Sequence, residues 1–312
     1  MTSKRMSVAP GAVATLVLLG AMTADLSAQP AGPVVAWGTG TSGQLMVPQG
    51  VNFKAISGDF TNSAGIREDG TIQMWGDFWG GFGTPVPSGR FTAIDGGRDN
   101  FVAVREDGAL AAWGVNAHGL LQTPSGTFRA ASLGSNVGAA VRTDGTLAGW
   151  GVLSTTPVPA GNDFVACTAG EGSALALRAD GTVAGWGANF WNEFAVPAGT
   201  YKDVSITFGW AAGVRSDGSI VFWGTMRPTS IGAMTGEFDQ IDQGSQGGSP
   251  IGLRTNGTLA MTVMFPGTPP AGTYIGIGAG VSHALAIVPS PGLLSIGIAA
   301  IGLCAGRRSR SI

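Results

Sequence analysis

Short runs in which apolar and polar residues alternate fill most of the chain, and glycine, proline or aspartate bounds each run. Phe101-Val-Ala-Val-Arg105 and Ala109-Leu-Ala-Ala-Trp113 are typical, with Asp107-Gly108 between them. Alternation with period two predicts half-buried strands. Asp-Gly between two such runs predicts a hairpin, because both residues tolerate the positive φ of a tight turn. The pair recurs at Asp69-Gly70, Asp144-Gly145, Asp180-Gly181 and Asp217-Gly218, and as Asn256-Gly257. An arginine stands two residues before each: Arg67, Arg105, Arg142, Arg178, Arg215 and Arg254.

The hairpins are units of a longer repeat. Trp-Gly occurs at Trp37, Trp75, Trp113, Trp150, Trp186 and Trp223, spaced 36 to 38 residues apart, and Thr262 holds the next position in phase. A third landmark is an aromatic after a glycine turn: Phe53, Phe91, Phe128, Phe164, Tyr201, Phe238 and Tyr274. A fixed period of this size implies stacked supersecondary units. The first unit, Val34–Trp37, has a Trp-Gly strand with no Arg-x-Asp-Gly before it, and the last, Val281–Ile287, has the preceding strand and no Trp-Gly after it. Pairing the two completes seven units and closes a ring, which predicts an all-β, seven-bladed β-propeller sealed between its N- and C-terminal strands. An open solenoid is the alternative, and it would need capping repeats that are not visible.

Units such as Leu175-Ala-Leu-Arg-Ala-Asp-Gly-Thr182 and Ala184-Gly-Trp-Gly-Ala-Asn189 through Val196-Pro-Ala-Gly199 resemble the short bacterial repeats of the regulator-of-chromosome-condensation family, over residues 34–288. The resemblance implies a seven-bladed propeller that works by binding proteins. That family includes a nucleotide-exchange factor for a small GTPase and a secreted inhibitor of β-lactamase, and fold alone transfers neither activity.

Composition fits this reading. The chain has 53 glycines, yet its 44% hydrophobic content and mean hydropathy of +0.25 allow a sizeable core, so the glycines read as frequent turns. Between residues 29 and 306, 12 Lys and Arg stand against 18 Asp and Glu. That acidic balance argues against nucleic acid as a partner. Cys167 and Cys304 offer no disulfide framework, and Cys167 follows Phe164-Val165-Ala166 as a small buried hydrophobe would.

The two ends read as addresses. Residues 1–28 have the layout of a secretory signal: Lys4 and Arg5, an apolar stretch from Val8 to Ala24, and Leu26-Ser27-Ala28 before an expected cleavage. A short uncleaved anchor is the other reading. Residues 289–312 run from Pro289-Ser290-Pro291 through the apolar Leu293–Ala305 to Arg307, Arg308 and Arg310. That order resembles a PEP-CTERM sorting signal, with Ser290 where the motif has glutamate. It implies an exported or cell-surface protein whose tail is handled by a membrane sorting enzyme. A plain transmembrane helix anchoring the chain is the alternative.

Candidate chemistry is sparse. Asp69, Asp107, Asp144, Asp180 and Asp217 serve one repeated turn, and Trp37, Trp75, Trp113, Trp150, Trp186 and Trp223 fill space between blades. His283 holds a strand position in the closing unit, and no His/Cys set has metal-ligand spacing, so neither cofactor nor metal is expected. With strands named a to d, the a–b and c–d loops share one face and the Asp-Gly and Pro-x-Gly turns the other. The variable loop face is the place for function. Phe78, Trp79, Phe82, Phe190, Trp191, Phe208 and Trp210 map there as aromatics outside the repeat, with His118, Arg227, Asp59, Asp99 and Asn100 as polar candidates. Two roles are open for these aromatics: anchors for a partner, or packing into the blade tops. The expectation is a non-enzymatic scaffold binding a protein or other extracellular macromolecule, with a partner's loop fitting the ring centre. A structural matrix component, or a carbohydrate-active enzyme using acids such as Asp59, Asp77 and Asp99, are the rival readings.

Overall fold

In the computed structural model, which describes residues 30–290 apart from 78–83, 153–156, 229–233, 245 and 263–266, each Arg-x-Asp-Gly makes a hairpin turn. In the first, Gly70 N–H donates to the Arg67 carbonyl at 2.9 Å and Arg67 N–H to the Thr71 carbonyl at 2.8 Å. Only the glycine is left-handed, at φ 87°, while Asp69 keeps a negative φ. The turn is therefore a type I turn closed by a glycine bulge, and not the two-residue form with both φ values positive. Aspartate is selected for its carboxylate. Asp69 Oδ1 accepts the Thr71 N–H at 2.9 Å and hydroxyl at 2.7 Å, and Asp144, Asp180, Asp217 and Asn256 repeat the arrangement.

Each hairpin takes a third strand. Given as inner, middle and outer, blade 1 is Phe53–Gly58, Asn62–Arg67 and Ile72–Gly76; blade 2 is Phe91–Gly96, Asn100–Arg105 and Leu110–Gly114; blade 3 is Phe128–Leu133, Val137–Arg142 and Leu147–Gly151. Blade 4 is Phe164–Ala169, Ser173–Arg178 and Val183–Gly187; blade 5 is Tyr201–Thr207, Trp210–Arg215 and Ile220–Trp223; blade 6 is Phe238–Gln243, Pro250–Arg254 and Leu259–Met261. Blade 7 draws on both ends of the chain: Gly276–Ala279, His283–Ile287 and Val34–Gly38, with Val34 paired to Ile287 and Trp37 to Ala284. Inner strands of successive blades touch, and the last touches the first. The chain is a seven-bladed β-propeller, closed as the sequence implied. No fourth strand forms among the described residues. Where one was expected, Val196-Pro197-Ala198-Gly199 runs unpaired, since proline has no N–H to give a ladder.

Backbone bonds join the blades at the turn face. The N–H of each landmark aromatic donates to the turn glycine of the blade before: Phe91 to Gly70 at 2.8 Å, Phe128 to Gly108 at 2.8 Å, Phe164 to Gly145 at 3.1 Å, Tyr201 to Gly181 at 2.8 Å, Phe238 to Gly218 at 2.9 Å and Tyr274 to Gly257 at 2.8 Å. Phe53 completes the circuit through Gly32 at 2.8 Å, a residue just before the strand that the N-terminus lends to blade 7.

Seven apolar wedges, one between each pair of neighbouring blades, make the core of the described residues. The repeat tryptophans sit inside them, and the indole N–H groups of Trp37, Trp75, Trp113, Trp150 and Trp223 reach into the preceding blade. Trp75 donates to the Gln44 carbonyl at 2.9 Å, Trp150 to Leu120 at 2.9 Å and Trp223 to Glu193 at 2.6 Å. Arg105, Arg142, Arg178 and Arg254 lie over landmark rings, with Arg178 4.1 Å from the Phe164 centroid and Arg105 5.0 Å from that of Phe91. Thr262 is buried where its neighbours have tryptophan, and the outer strand of blade 6 is only three residues long.

Trp150→Ala removes a buried ring and leaves the Leu120 carbonyl without its donor. The expected loss is about 3–5 kcal/mol, read from the denaturant midpoint. A loss under about 1 kcal/mol, the size of an ordinary surface change, would contradict this packing.

Candidate functional site

The a–b connections are very tight. In blades 1, 2, 3, 4 and 7 an N–H three residues before the middle strand's partner carbonyl closes them, as from Gly97 to Asn100 and from Gly134 to Val137, both at 2.8 Å. Successive loops press on one another around the ring centre. A Cβ on Gly134 would stand 1.7 Å from the Gly170 carbonyl, and one on Gly244 would stand 1.8 Å from that of Gly280. These positions admit only glycine. Across this mouth Gln246, in the loop of blade 6, turns its amide oxygen to Arg98 of blade 2 and accepts from Nε and Nη1 at 3.2 Å each.

Beneath that bridge lies a cavity of about 30 Å³, lined by inner-strand residues including Asp95, Ser132, Thr168, Asp242 and Gln243. It has room for one or two waters. The axis is narrow at this level, and the side chains of Arg98 and Gln246, from opposite blades, meet across its mouth.

The cavity wall also shows a motif that the sequence reading missed. The fifth residue of the inner strands is Ser57, Asp95, Ser132, Thr168, Ser205 and Asp242 in blades 1 to 6. Several of these accept a backbone N–H from the next blade: Ser57 from Gly96 at 2.9 Å, Asp95 from Leu133 at 3.0 Å, Ser132 from Ala169 at 3.0 Å and Asp242 from Ala279 at 2.8 Å. The available signal was a polar residue four places after each landmark aromatic. Burial pushes the Asp95 carboxyl up to about 6. Burial, with the Asp95 charge added, pushes Asp242 up to about 7.

Among the other candidates, Asp59 is buried, and its Oδ1 accepts from the N–H groups of Thr61 at 2.8 Å and Asn62 at 2.6 Å. Burial raises it to about 7. Its carboxylate braces its own hairpin, while Asp99 lies beside Arg98 at 3.7 Å. Asn100 is buried. Among the described residues no group of three His, Cys, Asp or Glu side chains could hold a metal. His283 is fully buried and held neutral, its pKa lowered to about 4 by burial. Ser63 gives its hydroxyl proton to the Gln44 carbonyl at 3.1 Å, so it accepts from His283 Nε2 at 2.9 Å.

The aromatics divide. Phe78, Trp79 and Phe82 lie outside the described residues. Phe190, Trp191 and Phe208 come together where the blade 4 outer loop meets the blade 5 inner loop. Phe190 meets Trp191 edge-on with centroids 5.7 Å apart, and Trp191 lies 4.8 Å from Phe208. Thr225 N–H donates to the Trp191 carbonyl at 2.7 Å and Met226 N–H to that of Gly209 at 3.2 Å, so a third loop is tied in. Phe190 is 79% exposed and Met226 48% exposed. Met226 was overlooked because a single methionine carries no periodic signal. Arg227, also exposed, folds back to donate to the Phe222 carbonyl at 3.0 Å. His118 is exposed on the blade 2 outer loop, away from the cluster.

Trp210 does not join them. The a–b loop of blade 5 is only Phe208-Gly209, so Trp210 already belongs to the middle strand, 1% exposed and 5.9 Å from Phe222. It packs the blade and is not part of an exposed face, contrary to the sequence-based expectation.

No family model matches this sequence, and no curated protein does. Solved structures do. Prp20p from Saccharomyces cerevisiae aligns at a TM-score of 0.67 with 12% identity, covering 91% of this chain and 99% of its own. Human WBSCR16 gives 0.65 with 14% identity over 83% and 99%. The CRINKLY WD40 ectodomain of the Arabidopsis thaliana receptor kinase ACR4 gives 0.61 with 19% identity over 73% and 86%. The likeness is one of fold. Yeast Prp20 is also described as yeast RCC1, so the repeats and the solved neighbours agree on the propeller.

The two half-buried carboxyls lining the cavity set a pH dependence. Asp95 and Asp242 bind protons more tightly in the folded chain than at their ordinary value of 3.8. Their contribution to stability is full below about pH 4 and is lost as pH rises through about 6 to 7. Asp242→Asn keeps an oxygen for the Ala279 N–H and removes the charge. Its melting temperature relative to the parent is expected to improve steadily from about pH 4 to about pH 8. A difference independent of pH would contradict the burial of this charge.

Proposed function

We propose that this propeller is a non-enzymatic binding scaffold that takes protein partners on the rim of its loop face, at the cluster formed by Phe190, Trp191, Phe208 and Met226. The exposure of Phe190 and Met226, backed by the half-buried Trp191 and Phe208 on three interlocked loops, is the observation that carries the reading. Aromatic and methionine side chains clustered on a rigid base are the anchors that protein interfaces use. The base here is rigid because backbone bonds fix the loops to one another. The solved neighbours support protein partners in general: Prp20p is described by its binding to Gsp1p and histones, and in another structure with Kap60. The narrow ring centre favours a contact on the rim. Of the acids the enzyme reading named, Asp59 is used within its own hairpin, Asp99 lies beside Arg98, and Asp77 follows the outer strand of blade 1. We further read the protein as exported and held at the cell surface by residues 289–312.

The test is photo-crosslinking of the purified full chain in native extracellular material, with a photoreactive residue at Phe190 or, on the turn face, at Ala179. Protein adducts are expected from position 190 and not from 179. Trp191→Ala combined with Phe208→Ala should abolish them. Phe190→Ser alone should shift stability by no more than about 0.5 kcal/mol. Equal adducts from both faces would sink the proposal.

A further inference from the structure

Both ends of the described chain leave from the same face. Val288 N–H donates to the Pro33 carbonyl at 2.9 Å, the Ser290 hydroxyl to that of Ala31 at 2.6 Å, and Gly32 bridges to Phe53 at the turn end of blade 1. The middle strand of blade 7 runs from the loop face at His283 to the turn face at Ile287, so Ser290 sits at turn-face level. Only Pro291 and Gly292 separate it from the apolar run Leu293–Ala305 and the arginines beyond.

The short reach of this linker limits where the apolar run can go. From Ser290 to Leu293 the chain spans at most about 10 Å, whereas a six-residue strand separates the two faces by about 20 Å. An apolar segment starting that close to the turn face enters a bilayer beside that face, and the loop face stays out of reach. The surfaces agree with this arrangement. Of the seven exposed large apolar side chains among the described residues, Phe60, Val115, Val152, Phe190 and Met226 stand on the loop face, while Met46 and Val86 lie farther along the segments that lead from an outer strand to the next inner strand. The turn face offers carboxylates and arginines, with Arg90 paired to Glu106 at 2.8 Å and Lys202 to Asp239 at 2.8 Å. Such a surface rests against lipid headgroups without inserting.

We infer that the propeller stands on a membrane with its turn face toward the lipid headgroups and presents the aromatic cluster outward, about one strand length from the surface. This rests on the reading of residues 289–312 as a membrane-held tail. It makes the loop face a surface offered to partners from outside the membrane.

The experiment uses the full chain with Cys304→Ser, leaving the buried Cys167 unreactive. A single fluorophore is placed at Ala179→Cys in the blade 4 turn, across the ring from the tether, or at Ala117→Cys in the blade 2 loop. Both native side chains are exposed. Each protein is mixed with phosphatidylethanolamine and phosphatidylglycerol vesicles carrying a quencher on the headgroup. The label at 179 is expected to lose most of its emission and the label at 117 to keep it. Flotation with the vesicles but equal quenching, or stronger quenching at 117, would overturn the orientation. A chain that does not float with the vesicles would overturn the tail reading beneath it.

Discussion

The bond from each landmark aromatic to the turn glycine of the preceding blade holds this ring in register. A lone hairpin is marginal in water, and each three-stranded blade still needs neighbours to cover its apolar faces. Here the start of each inner strand from blade 2 to blade 7 is pinned to the previous hairpin, which fixes where the blade stands relative to the one before. The glycine is needed twice over: it takes the left-handed bulge that closes the hairpin, and its carbonyl accepts the next blade. Placement then lets the Phe and Trp rings of neighbouring blades share a wedge. At the seventh junction Phe53 and Gly32 exchange both backbone bonds as an antiparallel bridge, and Gly32 is not left-handed. Closure therefore replaces the hairpin glycine by a strand-like pairing with the N-terminal segment.

A second constraint comes from the ring itself. Seven inner strands facing an axis are seven sheet edges, with backbone N–H groups that lack a ladder partner. Small polar side chains one blade back satisfy several of them. Serine and threonine do this without charge. Asp95 and Asp242 do it as half-buried carboxyls shifted toward their neutral form, which ties the ring to the pH of its surroundings. Glycines packed backbone against backbone and the Arg98–Gln246 bridge then narrow the mouth. With the axis spent on structure, recognition moves outward to loops whose sequences are free to vary, and the end-to-end closure fixes which face those loops share relative to the termini.

The sequence alone determined what depends on local chemistry repeated in phase. Asp-Gly at a constant distance from Arg and Trp marks hairpins, and the complementary deficits of Val34–Trp37 and Val281–Ile287 specify a ring, because backbone turns and strand pairing are encoded within a few residues. Even there the reason for aspartate was visible only in three dimensions, since a carboxylate capping Thr71 and a residue at positive φ look alike in one dimension. The tertiary structure decided which loop aromatics are exposed. Trp191 and Trp210 both fall just beside a loop in sequence, yet one borders an exposed cluster and the other is core, because a two-residue connection leaves Trp210 in the strand. It also decided that Phe190, Phe208 and Met226 meet, that Asp59 is consumed in its own turn, and that the axis is narrow. Each of these depends on how neighbouring blades approach, a distance set by packing between segments about forty residues apart and invisible in any one of them.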